Sequence, residues 1–232
     1  MKILAADTST STGAVALLDG IRVKAEWSLD SRVTHNRRLL GIIDRILNES
    51  GWNIGDIEGM GVTAGPGSFT GLRIGLTTIK TLAWARSIPF VAIHTLDALA
   101  EPLSGSRNPV CALLDARKKE VFAALYDPTG KDGLVRRGEG WVIPPGDLAD
   151  LIREPTVFCG DGWFAYEKLF RQRLGEKAIE APAPLHSIRA ATVAAMARER
   201  ILAGTQDDPR AARPFYLRPS DAELKYPQYA NS

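Results

Sequence analysis

The sequence predicts an α/β protein made of two related halves, each a mixed sheet flanked by helices. Three observations predict it. First, an apolar strand ending in Asp, a short polar turn and a second apolar strand occur twice, with Asp7 and Asp19 spaced as Asp115 and Asp127 are. Second, each hairpin is followed by a later apolar run that closes on glycines, "GMGVTAGPGS" in one half and "PTVFCGDGW" in the other. Third, Pro, Ser and Gly cluster between them in "EPLSGSRNP", residues 101–109, the composition of a linker. The expected division is 1–104 and 105–232, the second part smaller and carrying a C-terminal tail.

In chain order, "KILAADTS" and "TGAVALLDG" read as strands, and Asp19-Gly20 is a hairpin signal into a third, "IRVKAEWSL". A helix is expected over 34–51, with Thr34 as N-cap and Gly51 past its end. Leu39, Ile42, Ile43 and Ile46 give it one apolar face, and Leu40 and Leu47 widen that stripe beyond what one sheet contact requires. A second helix over Phe69–Arg86 carries Leu72, Leu76, Ile79 and Ala83 on one side. Beside them runs a row of mostly small residues, Gly71, Gly75, Thr78 and Leu82. Glycine inside a helix costs about 1 kcal/mol relative to alanine. Two of them one turn apart therefore mark the close approach of another backbone, either the home sheet or a partner helix.

Composition excludes several classes. Hydrophobic residues make up 45% and charged residues 24%, ordinary for a globular chain, and a net charge of +2 does not announce a nucleic-acid surface. The N-terminus has neither signal nor transit character, and no apolar run approaches membrane length. Cys111 and Cys159 sit in apolar runs, as buried thiols of a reducing compartment do. A cytoplasmic location is expected.

The glycine turn "TAGPGSFTGLR" fits neither phosphate motif. A Walker loop needs four residues between its glycines and then Lys-Ser/Thr, whereas Gly65 and Gly71 enclose five and Leu72-Arg73 follow. A Rossmann turn would need glycine at position 70, which is Thr70. What remains is a turn whose backbone N–H groups open a helix, a place with anion-binding capacity. His35, His94 and His186 are scattered, and no Ser/His/Asp grouping follows from spacing. No catalytic residue and no metal site are assigned.

Taken together, "ILAADTSTSTGAVALLDG", "GMGVTAGPGSFTGLRIGLTTIKTLAWA", "IPFVAIHTLDALA", "LLDARKKEVFAALYD" and "RPFYLR" resemble the TsaB/YeaZ family of bacterial tRNA threonylcarbamoyladenosine biosynthesis proteins, nearly end to end. "GPGSFTGLRIG" is the most specific part. The resemblance implies the fold of actin, sugar kinases and heat-shock ATPases (ASKHA), built from two duplicated subdomains. It implies a non-catalytic paralogue of the transferase TsaD, in a complex with the ATPase subunit TsaE that forms N6-threonylcarbamoyladenosine beside the anticodon. It also implies a homodimer in isolation, tRNA contact through the complex, and no membrane. No cofactor is expected on this chain alone; ATP and a metal ion belong to the partner subunits.

In the ASKHA superfamily a strand-end Asp and a following glycine hold phosphate. Here Thr8-Ser9-Thr10 follow Asp7, so Asp7, Gly65, Gly67 and Ser68 read as a degenerate nucleotide site. The partner surface implied is the helix pair, through Leu39, Leu40, Ile43, Leu47, Gly71, Gly75, Thr78 and Leu82. On that reading Gly75→Leu keeps its melting temperature and loses the partner. The alternatives are a stand-alone ATP-binding phosphotransferase or ATPase of the same fold and, against the scattered histidines, a metallopeptidase.

Overall fold

A computed structural model describes residues 1–30, 39–130 and 133–218. Its first sheet is ordered β3-β2-β1-β4-β5. The central strand β1 (Lys2–Asp7) is antiparallel to β2 (Thr12–Asp19) and parallel to β4 (Gly59–Gly65). β3 (Arg22–Asp30) and β5 (Phe90–His94) form the edges. A strand flanked on both sides and covered on both faces must be apolar almost throughout, which is why "ILAA" shows little alternation. The two-residue period still sorts it. Ile3 and Ala5 enter one core with Val91 and Ile93, while Leu4 and Ala6 enter another with Val15, Leu17 and Met60.

The helices α1 (Leu39–Glu49) and α2 (Phe69–Arg86) cover the Leu4 face. The expected start of the first helix at Thr34 lies outside the described residues. Its end is a Schellman motif: Gly51 at φ 71° lets Trp52 N donate to Leu47 O at 2.9 Å and Gly51 N to Asn48 O at 3.1 Å. β5 then runs straight into the short helix α3 (Thr95–Ala100).

The second sheet repeats the plan. β6 (Val110–Arg117) is antiparallel to β7 (Glu120–Pro128) and parallel to β10 (Thr156–Cys159), which is parallel to β11 (Ala178–Glu180). These are the relations of β1 to β2 and β4, and of β4 to β5. The short strands β8 (Leu134–Arg136) and β9 (Trp141–Ile143) both pair with β7. The helices α4 (Pro145–Leu151) and α5 (Asp161–Leu174) hold the places of α1 and α2. Gly160, at φ 111°, lies where its Cβ would collide with Leu113 O, just as a Cβ on Gly67 would collide with Ser9 O. Each glycine turn opens the helix that follows its strand, α2 in one half and α5 in the other.

The last helix, α6 (Ala190–Leu202), returns to the first sheet and covers its Ile3 face. Its small side chains permit this: Ala190 and Ala191 meet Ala14 and Ala16, and a Cβ on Gly61 would lie only 2.7 Å from Ala197 Cβ. The first sheet thus takes β1 to β5 and the second β6 to β11, while α6, later in the chain than both, packs on the first. Beyond it, residues 205–218 form a strap. Asp207 N donates to Phe90 O at 2.8 Å, Lys80 Nζ to Ala212 O at 3.0 Å, and Phe215 N to Ala64 O at 2.6 Å. Arg218 then crosses to the second half, donating to Glu120 Oε2 at 2.7 Å and Ala116 O at 2.9 Å. Among the described residues, no helix is long and apolar enough to cross a membrane.

Candidate partner surface and glycine turn

The structure brings Asp7, Gly65, Gly67 and Ser68 together where β1 and β4 end. Asp7 is 0% exposed, and its Oδ1 accepts from Ser9 N at 3.0 Å, Ser9 Oγ at 2.6 Å and Thr63 Oγ1 at 2.5 Å. Ser9, two residues on, and Thr63 of β4 thus hold the buried carboxylate. Two backbone donors of the turn are likewise engaged: Gly65 N on Thr95 Oγ1 at 3.1 Å and Ser68 N on Ser9 O at 2.6 Å. Ser68 caps α2, its Oγ accepting from Gly71 N at 3.2 Å. From the other side the strap closes in, since a Cβ on Gly65 would collide with Phe215 O. Protein atoms from Ser9, Thr95 and Phe215 thus pack against the turn.

The glycine row of α2 faces home, not outward. Gly71 and Gly75 are buried, and a Cβ on either would collide with Thr8, at its carbonyl oxygen and Oγ1 respectively. Thr8 Oγ1 in turn donates to Gly71 O at 2.7 Å. The backbone whose approach the glycines permit is that of the β1–β2 turn. Leu39, Ile43 and Leu47 are also buried, packed with Trp27, Ala25 and the α2 stripe. The width of the first helix's stripe is taken up by β3 as well as α2. Of the eight residues expected at the surface, Leu40 is exposed at 59% and Thr78 and Leu82 are half-buried. Trp84, which periodicity alone did not single out, is 61% exposed near the C-terminus of α2.

Among the described residues, no three His, Cys, Asp or Glu side chains converge as a metal site. His35 lies outside those residues. His186 is buried with Nδ1 3.2 Å from Gly160 O and Nε2 3.0 Å from Ala181 O, a structural placement between two carbonyls. Both cysteines are buried thiols, and burial pushes their pKa values up. In the second half, Asp161 Oδ1 accepts from Asp115 N at 2.9 Å, and burial raises the Asp161 pKa.

His94 is different. It ends β5 and packs under Phe215 of the strap at 4.9 Å between ring centroids; among the described residues neither ring nitrogen has a hydrogen-bond partner, with Asp97 Oδ1 3.7 Å from Nδ1. Burial holds its pKa down to about 4; Asp97 pulls the other way and Arg136 adds to the depression. An unfolded histidine titrates near pH 6.5, so the unfolded chain binds the extra proton between about pH 6.5 and 4. Stability from this group is complete above that window and falls as pH drops through it, by on the order of 2 kcal/mol. Urea denaturation at pH 7.5 and 4.5 is expected to show that loss in the wild type and a smaller one in His94→Gln. Equal losses in both would mean that His94 is not the group responsible.

A profile of the family described as TsaD, tRNA N6-adenosine threonylcarbamoyltransferase, matches residues 30–226. The tRNA threonylcarbamoyladenosine biosynthesis protein TsaB of Bacillus subtilis (strain 168) is 32% identical over 97% of this chain and 98% of its own. The chain belongs to the TsaB family. In three dimensions it is similar to YeaZ from Pseudomonas aeruginosa, with a TM-score of 0.78 at 27% identity, covering 93% of this chain and 99% of that one. Inorganic polyphosphate/ATP-glucomannokinase from Arthrobacter sp. strain KM shares the fold, with a TM-score of 0.51 at 13% identity over 87% of this chain and 99% of that one. A TsaB-family chain thus carries the two-sheet ASKHA plan of a sugar kinase, with protein atoms packed against the turn.

Proposed function

We propose that this TsaB-family chain is a non-catalytic subunit of the complex that forms N6-threonylcarbamoyladenosine on tRNA. In this reading it pairs with a TsaD transferase, which a TsaE ATPase joins, and ATP and the metal ion are held by those partners. The outer faces of α1 and α2, around Leu40 and Trp84, make the contact, and the same faces pair two copies when the transferase is absent. The observation that carries the reading is the state of the glycine turn. Asp7 Oδ1 and the Gly65 and Ser68 N–H groups are engaged by the chain itself, so a phosphate placed there would have to displace bonds the chain already makes, those of Asp7 and Gly65 buried.

Rigorously purified chain is expected to hydrolyse ATP at background rate. Added to a TsaD and TsaE mixture with unmodified tRNA, it is expected to raise formation of the modified nucleoside well above the mixture without it. Turnover by the chain alone, abolished in Asp7→Asn, would instead favour a stand-alone ATPase.

A further inference from the structure

We propose that the rim where the Arg117-Lys118-Lys119 turn meets the strap binds single-stranded RNA, with phosphates on the turn and a base stacked on Tyr216. The partner class rests on the tRNA reading above; the surface rests on three observations of its own.

The first is the turn joining β6 to β7. Arg117, Lys118 and Lys119 have φ values of 61°, 53° and 64°, and Arg117 pairs with Glu120 across it. Positive φ at both central residues of a two-residue hairpin is what Asn-Gly supplies without strain. Here two lysines take those positions at a conformational cost. Strained residues of this kind gather where a side chain is needed at a fixed place. All three residues are exposed at the tip of the hairpin. Arg117 is ion-paired with Asp115 at 3.1 Å, so the two lysines carry the electrostatics of the rim through their exposure and placement, and Glu120 at the base of the turn accepts from Arg218.

The second observation is aromatic. Tyr216 stacks on Phe69 at 4.6 Å between centroids, Arg73 lies over the Phe69 ring at 3.9 Å, and Arg73 Nε donates to Tyr216 Oη at 3.1 Å. Tyr216 is 37% exposed and the adjacent Phe215 41%. An ordered ring stack, bordered by a guanidinium and open to solvent, is a surface on which a nucleobase stacks regardless of its identity. The third observation joins the two. Arg218 is two residues beyond Tyr216, about 7 Å of extended chain, and its guanidinium is bonded at the base of the lysine turn. Cations for the backbone and rings for the bases therefore share one rim, within the span of a short oligonucleotide.

The test is fluorescence anisotropy of a labelled 12-nucleotide single-stranded RNA, and of an unmodified tRNA transcript, titrated with the full chain at several salt concentrations. The double variant Lys118→Asn/Lys119→Gly removes both charges and supplies the residues that the turn prefers. It is expected to melt higher than wild type yet bind RNA about tenfold more weakly, with a flatter salt dependence. Tyr216→Leu is expected to weaken binding about tenfold without changing the salt slope. Wild-type chain that binds no RNA, or binding that both variants leave unchanged, overturns the proposal while leaving the subunit reading intact. Variants that bind RNA normally but no longer co-purify with the transferase subunit would make the rim a protein interface, and that also overturns it.

Discussion

Gly75→Leu is expected to melt about 10 °C below the wild type, with or without a partner. The side chain added would grow into Thr8, since even a Cβ at Gly75 collides with Thr8 Oγ1 and lies 3.5 Å from Val62 Cγ2. Thr8 has nowhere to go: it is 1% exposed, and its hydroxyl is bonded to Gly71 O. Either α2 lifts from β4 or the β1–β2 turn shifts, and the turn carries the Ser9 groups bonded to Asp7. Overpacking of this kind costs about 1–3 kcal/mol and more when backbone must move. In a domain of this size each kcal/mol lowers the melting temperature by about 2–4 °C. Leucine's better helix propensity returns roughly 1 kcal/mol at most, too little to reverse the sign. Circular dichroism melts of Gly75→Ala and Gly75→Leu, expected to fall in that order, check it. Midpoints equal to wild type would place the glycine row on a free surface.

That reversal shows where sequence reasoning runs out. A glycine pair one turn apart says that some backbone comes near but not whose, because the cost of the glycines is identical in either case. The Leu39–Leu47 stripe has the same ambiguity. Its excess width is real, yet β3, through Ala25 and Trp27, takes up what looked like spare apolar surface. By contrast β1, β2 and the α2 stripe were legible, since their two-residue and helical periods are local properties tied to burial. So was the duplication, whose signal lies in order rather than in any one match. The strap was not. Residues 205–218 lack periodicity, and their course is set by bonds to Phe90, Ala64 and Glu120, all far away in sequence. Only the adjacent aromatics in "RPFYLR" hint that an irregular tail has something to pack against. Nor does the strained turn announce itself, because lysine is an unremarkable residue until its φ is known.

Joint substitution Leu40→Glu/Trp84→Lys is expected to leave the monomer's melting temperature within a few degrees of wild type and to lower its affinity for the transferase subunit by a hundredfold or more. Both side chains are mostly in water already, so their replacement removes little burial, and such surface changes usually stay within about 0.5 kcal/mol. The charges are matched to their helix ends: Glu near the start of α1 and Lys in the last turn of α2 complement the helix dipoles. In a complex the balance changes. Tryptophan at the centre of an interface is typically worth 2 kcal/mol or more, and a charge buried in its place without a partner adds a desolvation penalty of similar size. Two such losses on adjoining helices comfortably exceed the roughly 2.7 kcal/mol that a hundredfold requires. Co-purification from cells and calorimetry with the isolated transferase read the effect, and the single variants apportion it. Full affinity in the double variant would move the contact off these helices. The next surface to test is then the outer sheet edge, where Ile21, Val23 and Leu29 stand exposed on and beside β3 and an open strand offers unpaired backbone groups to another chain.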